Sequence, residues 1–321
     1  AVLASFIERP LAPSAAHAEA ISVSAWYAAS EREVALLRSI AVERFDGEDG
    51  AALALLIERR LGEARDRDGS PYFDIRRGDA DGLVSGAVTT GVDVSRFRKT
   101  ISECPDGPKA KCKREDRIDV EISCRRRVIT LDADLRVERD RDGRLIYSTS
   151  DPKREEASWC PDDSAPPEPE GVIRQMIESV ATAFVEAVVP YHRKQNIRFR
   201  EDRAGLAKAD GERFKLALRQ TKSDAAAACA TWGEIDASAP RQSSVLFNLA
   251  LCAEAAGDLD RAEQLYRTVA DRSTTRSGDV GDALRRIQRR RDAVADERAR
   301  GAGTGNARGG RERDGDRSRR F

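Results

Sequence analysis

Histidine is almost missing from this chain of 321 residues: His17 and His192 are the only two. That excludes His-rich metal sites and leaves few candidates for general acid–base chemistry near neutral pH. Methionine occurs once, and aromatic residues make up 5%. No run of about 18 apolar residues is present, so nothing in the pattern predicts a membrane-spanning helix. Net charge is absent too, because 56 basic residues balance 56 acidic ones. A dedicated nucleic-acid binder needs a positive excess to displace counterions from phosphates. Only nine of the basic residues are Lys. With abundant Ala, this Arg richness reads as genomic GC bias rather than as function. What the chain does have is charge in bulk, at 35% of residues, and a mass of 35.3 kDa. That is room for two ordinary domains.

It also has six cysteines. Cys104, Cys112, Cys124 and Cys160 fall in the first two-thirds, and Cys229 and Cys252 lie nearer the C-terminal end. An even count in each part fits intradomain disulfides, which persist in an oxidising compartment; six reduced thiols in the cytosol are the alternative. The absence of any Cys-x-x-Cys pair speaks against zinc. The Lys/Arg-rich loop from Lys109 to Arg117 would make a free Cys112 thiol reactive, and a bridge to Cys104 removes that liability. The expected pairs are Cys104–Cys112, closing a local loop, and Cys124–Cys160, tying a strand to a later connection. Cys229 and Cys252 either bridge or serve as small buried apolar residues. Near the start, Ala16-His17-Ala18 has the small-x-small form of a signal-peptidase site. Residues 1–30 are read as a leader or signal remnant, and an Ala-rich disordered leader is the alternative.

Periodicity then divides the chain. Ser39–Phe45 reads as a strand, followed by a turn over Asp46–Gly50 and a helix with Leu53, Leu56, Ile57 and Leu61 on one face. Tyr72–Ile75 and Leu83–Val94 read as strands. Ile118, Val120, Ile122 and Cys124 alternate with polar residues, and so do Ile129 to Val137, but on odd numbers. That change of parity predicts a bulge or break near 125–128. Leu145–Ser148 returns as a strand after a turn at Asp142-Gly143. Pro152–Gly171 reads as a connection, and Gly171–Val189 as an amphipathic helix stopped by Pro190. The fold class expected for 31–200 is an α/β sandwich with helices on one twisted sheet.

The segment 201–300 reads as all-helical. Asp224, Ala228, Trp232 and Ile235 recur 34 residues on as Asp258, Ala262, Tyr266 and Val269, which is the tetratricopeptide period. Residues 279–300 would then cap the stack, and 301–321, rich in Gly, Arg and Asp, reads as disordered. The whole chain is thus expected to be α+β, with an N-terminal α/β domain and a C-terminal all-α module.

Chemistry is thinner. Asp46-Gly47-Glu48-Asp49-Gly50 sits between strand and helix but lacks Gly-Lys-Ser/Thr, and its acids would repel phosphate. Asp132, Asp134 and Glu138 read as a wet sheet face. No catalytic residues, cofactor or metal are expected. The run Arg285-Arg286-x-x-Arg289-Arg290-Arg291 reads as the solvated face of a capping helix; the rival reading is an Arg-rich nucleic-acid-associated protein acting through 285–320.

Ile40-Ala41-Val42-x-x-Phe45, Tyr72-Phe73-Asp74-Ile75, Ala80-Asp81-Gly82 to Val88 and the hairpin from Leu131 to Ser148 together resemble an envelope superfamily. It includes the TolB N-terminal domain and the CsgG-like and penicillin-binding-protein-activator lipoproteins. The Cys104–Cys124 insert departs from that pattern, and no amphipathic transmembrane hairpins are visible. The resemblance implies a non-enzymatic periplasmic adaptor or scaffold, with outer-membrane association left open and envelope proteins as partners. No small-molecule substrate is implied. The 34-residue repeat resembles tetratricopeptide scaffolds, whose first helices line a concave groove. Carried over, that places Arg213, Ala217, Gln220, Phe247, Leu251 and Glu254 on a partner-binding groove, with Phe247 and Leu251 forming one apolar stripe. The alternative is that the stripe is buried against the capping helix or the α/β domain.

Overall fold

Strands and helices are mixed up to residue 198, with β-strands in succession between residues 74 and 159, and among the described residues only helices follow. The computed structural model describes residues 19–107, 111–272 and 278–314. Ala16-His17-Ala18 and residues 315–321 therefore lie outside the described residues, as does part of the Lys109–Arg117 loop. In chain order the elements are β1 (Ala20–Tyr27), α1 (Arg32–Ala35), β2 (Ser39–Val42), α2 (Gly50–Glu63), β3 (Asp74–Arg76), β4 (Gly82–Glu103), β5 (Ile118–Arg139), β6 (Arg144–Trp159), α3 (Pro169–Val188) and β7 (Tyr191–Arg198). Then come α4 (Lys208–Gln220), α5 (Ala225–Ser238), α6 (Ser243–Ala256), α7 (Leu259–Arg272) and α8 (Gly278–Asp314). The fold is mixed α/β. It divides into a helical unit of residues 1–27 and 192–292 and a sheet unit of residues 28–191 and 293–321.

The sheet unit is built on five strands in the order β3-β2-β4-β5-β6. β2 runs parallel to β3 and β4, and the β4–β5–β6 pairs are antiparallel. Alternation decides the faces, since cross-strand partners share a face and successive residues do not. Val84, Val88, Ile129, Leu131, Ala133, Leu135 and Val137 all point to one side and are buried. There they meet the apolar stripes of α2, through Leu53, Ile57 and Leu61, and of α3, through Val172, Val180 and Phe184. Asp132, Asp134, Arg136 and Glu138 are exposed on the other side. Pro169 starts α3 at its first turn, where its missing N–H costs nothing. Gly47, in the turn before α2, has φ +91°, and a Cβ there would lie 1.9 Å from the Val88 carbonyl oxygen. Only glycine fits that close approach.

There is no bulge near 125–128: β4 and β5 stay in one register from Gly82–Arg139 to Glu103–Ile118. The irregularity lies instead between Val137 and Glu138, in the pairing with β6. Pro152 does not end a strand, because β6 runs through it to Trp159. β6 is the edge of the sheet, where a residue without an N–H is tolerated. Ala20–Tyr27, read as leader, is a strand that pairs with β7, so the helical unit carries a two-stranded sheet beside its helices.

In the helical unit the 34-residue offset has a structural counterpart. Asp224 and Asp258 each accept a bond from the backbone N–H three residues on, Ala227 at 2.9 Å and Arg261 at 3.1 Å. Such caps satisfy donors that a helix start leaves orphaned. Ala228 and Ala262, Trp232 and Tyr266, and Ile235 and Val269 are all fully buried. Gly257 ends α6 at φ 86°, the left-handed cap that glycine adopts most easily. α8 continues through Asp314, so Gly301–Asp314, expected to be disordered, lies on this helix.

All six cysteines are paired: Cys104–Cys112, Cys124–Cys160 and Cys229–Cys252. The last bridge joins α5 to α6. Three disulfides are the pattern of an extracellular or periplasmic protein. Among the described residues no helix is long and apolar enough to cross a membrane.

Candidate functional site

The six residues assigned to a groove do not form one. Ala217, Leu251 and Glu254 are 0% exposed and Phe247 is 3% exposed. Phe247 and Leu251 belong to a core shared with Val23 of β1 and with Val280 and Ile287 of α8. Phe247 also meets the Tyr266 ring edge-on at 5.4 Å, and the Arg200 guanidinium lies 4.3 Å from its ring centre. Arg213 is held by Asp210 and Glu234, and Gln220 is half-buried. The apolar stripe is therefore core, because apolar residues from β1 and α8 pack on the face an open array would expose.

Below that stripe lies an internal polar network. The fully buried Glu254 carboxylate accepts two bonds from Arg286, at 2.9 and 2.8 Å, and one from the Tyr266 hydroxyl at 3.0 Å. Arg290 donates to the Glu254 carbonyl at 2.8 Å. Burial, and after it the Glu254 charge, pushes the Tyr266 pKa far up. The buried Asn248 amide exchanges both of its bonds with the Arg200 backbone, accepting at 2.8 Å and donating at 3.0 Å. These groups satisfy one another, as buried polar groups must. The Arg run is spent in the same way: Arg285 pairs with Asp282, and Arg291 with Asp260 and Glu263.

Further along α8, Arg300 belongs to the sheet unit. It donates to the carbonyls of Ala35, Leu37 and Tyr72, and its guanidinium sits 4.1 Å from the Tyr72 ring centre. Asp296 takes a forked pair of bonds from Arg32. The Tyr72 hydroxyl donates to Ala35 O at 2.7 Å. Burial, the largest cause, pushes its pKa up to about 12, against the opposing pull of Arg300. The folded protein thus holds this proton more tightly than the unfolded chain does. The stability it confers is complete below pH ~10 and is lost as pH rises through 12. We expect a loss of about 2–3 kcal/mol across that window. Denaturant titrations from pH 9 upward should show it, and Tyr72→Phe should remove this share of the loss while leaving the share that comes from Tyr266.

The sheet unit also holds an open concavity of about 860 Å³ between α2, α3 and β4. Leu56, Ile173 and Ile177 line its floor. Leu55, 66% exposed, and Val92, 47% exposed, stand at its sides. Glu48, Asp49, Glu170 and Glu178 outnumber Arg59 and Arg174 around it. Arg60 pairs with Glu178 and fixes α2 to α3, while Thr90 donates to Asp49 at 2.6 Å. This groove has almost no signature in the sequence. Its one signal was Leu55, an apolar residue lying off the Leu53–Leu56–Ile57–Leu61 stripe. Among the described residues no group of three or more His, Cys, Asp or Glu side chains is gathered as metal ligands. No family model matches the chain, and no curated protein matches it.

Proposed function

We propose that the chain is a non-enzymatic adaptor of the cell envelope, acting in the periplasm and holding a partner protein on its sheet unit. The observation that carries this reading is the α2–α3 groove, with exposed Leu55 and Val92 beside an apolar floor. Exposed apolar side chains gathered around an apolar concavity are a recurrent feature of binding sites. With Glu178 taken up by Arg60, the acids Glu48, Asp49 and Glu170 stand against Arg59 and Arg174, a small acidic balance that favours a segment that is apolar with basic flanks. The three disulfides support a compartment outside the cytosol. The strand and helix order from Ser39 to Val189 supports the kinship with TolB and CsgG-like domains. The paired hairpins α4–α5 and α6–α7 support a tetratricopeptide-like module, closed by α8 and serving as a frame.

A photo-crosslinking residue at position 55, in the cell, tests this. A discrete protein adduct should form from position 55 and not from Leu216, which is also more than half exposed, on α4. Leu55→Asp should abolish association while leaving the melting temperature within a degree or two, because surface changes are near neutral. No adduct from position 55, or the same adducts from both positions, would remove the groove as the binding site.

A further inference from the structure

β6 ends at Trp159, opposite Arg125. Beyond that point the sheet is two strands only, Arg96–Glu103 against Ile118–Arg125, closed at the end by Cys104–Cys112. A two-stranded ribbon is marginal in water unless one face is covered. The unbroken register shows which residues share a face. On the side that α2 and α3 cover further back, the ribbon carries Arg96, Arg98, Thr100 and Ser102, with Asp119, Glu121 and Ser123 across from them. The opposite side carries Phe97 and Ile101 beside Val120 and Ile122, with Ile118 at the end. The apolar face has therefore changed sides of the sheet. This is the physical meaning of the parity change in β5: the backbone does not slip, but the side to be covered does. Arg126 lies 5.1 Å from the Phe97 ring centre and shields the base of this stripe. Ile101, Val120 and Ile122 are only half-buried, and Ile118 is 48% exposed.

The charges on this face are arranged with opposite signs about its centre. Lys99 and Glu103 each lie two residues from Ile101, one on either side, and both share its face. That antisymmetry is what a self-complementary surface requires, because a two-fold axis exchanges the two positions. We propose that the stripe packs face to face on the same stripe of a second copy of this chain, with the arms antiparallel and the axis through Ile101 and Val120. Ile101 and Val120 then each meet their own counterpart. Ile122 meets Ile118 of the second copy, and Lys99 meets its Glu103 at both rims. Centring the axis on Lys99 or Glu103 would instead set like charges together. The two disulfides at the tip and base of the ribbon hold it in shape beforehand, which lowers the cost of association.

Sedimentation velocity on the full chain with its disulfides intact tests the proposal. The contact is small, so dimer should be evident near ~100 µM and dissociate on dilution to ~1 µM, as for weak interfaces. Lys99→Glu and Glu103→Lys should each weaken association by about tenfold or more, since each sets like charges opposite one another. The double variant K99E/E103K should restore it to within about threefold of the original. Both positions lie on the arm, outside the core, so melting temperatures should stay level. A chain monomeric throughout the range, a dimer indifferent to the single reversals, or a double variant without rescue would each overturn the proposal and assign the stripe to another occupant.

Discussion

Replacing Glu254 by alanine should lower the stability of the helical unit by about 3–5 kcal/mol, the range for breaking a buried ion pair from one side. The carboxylate is 0% exposed and accepts from Arg286 twice and from Tyr266 once. Its removal strands a half-buried guanidinium and a buried phenol in a space water cannot readily re-enter. The loss should appear as a lower denaturant midpoint. Tyr266→Phe removes only one neutral partner and should cost about 1–2 kcal/mol. A paired change to Glu254→Leu with Arg286→Met should recover most of the loss, because apolar replacement of a whole buried pair is often neutral. If Glu254→Ala is silent, the network does not restrain α8.

The second large effect belongs to the sheet unit. Changing both Cys124 and Cys160 to serine should cost about 3–4 kcal/mol by loop-closure entropy, because the bridge spans 36 residues. Removing Cys104–Cys112, which spans 8, should cost less, about 2–3 kcal/mol by the same relation. Equilibrium unfolding of the two variants would rank them. Backbone exchange along Ile118–Cys124 should quicken more in the first, since Cys124–Cys160 fastens the ribbon where β6 stops. The reverse ranking would mean that the tip carries the stability of the arm.

Much of the fold was legible in the sequence for reasons that are local. The stripes of α2 and α3 follow from helical spacing, and the four repeat positions fall at equivalent places on α5 and α7 because each does the same work in its hairpin. Pairing of Cys104 with Cys112 was readable since a polar loop cannot order itself by burial. What failed depended on distant chain. Phe247 and Leu251 look like an exposed stripe until Val23 and Ile287 are known to cover them. Ala20–Tyr27 has too little pattern to announce a strand whose partner is β7. The parity change in β5 was seen, but sequence alone could not separate a slipped backbone from a face that needs cover on the other side. The α2–α3 groove was missed because its walls come from three elements far apart in the chain.

The pairing of β1 with β7 also bears on how the chain assembles as it is made or exported. Ser24 and His192, bonded at 3.0 Å, lie 168 residues apart, so one strand must wait for just over half the protein to appear. Closing a flexible loop of that length costs roughly 4–5 kcal/mol. Yet nearly all of the intervening chain is the body of the sheet unit, and its own ends meet: the Glu31 N–H donates to the Ala187 carbonyl at 2.9 Å. Once that segment has folded, β1 and β7 emerge side by side. With the segment's own ends already joined, the effective loop that the β1–β7 pairing must close shrinks from 168 residues to a few on either side, and the entropic cost of closure falls with it.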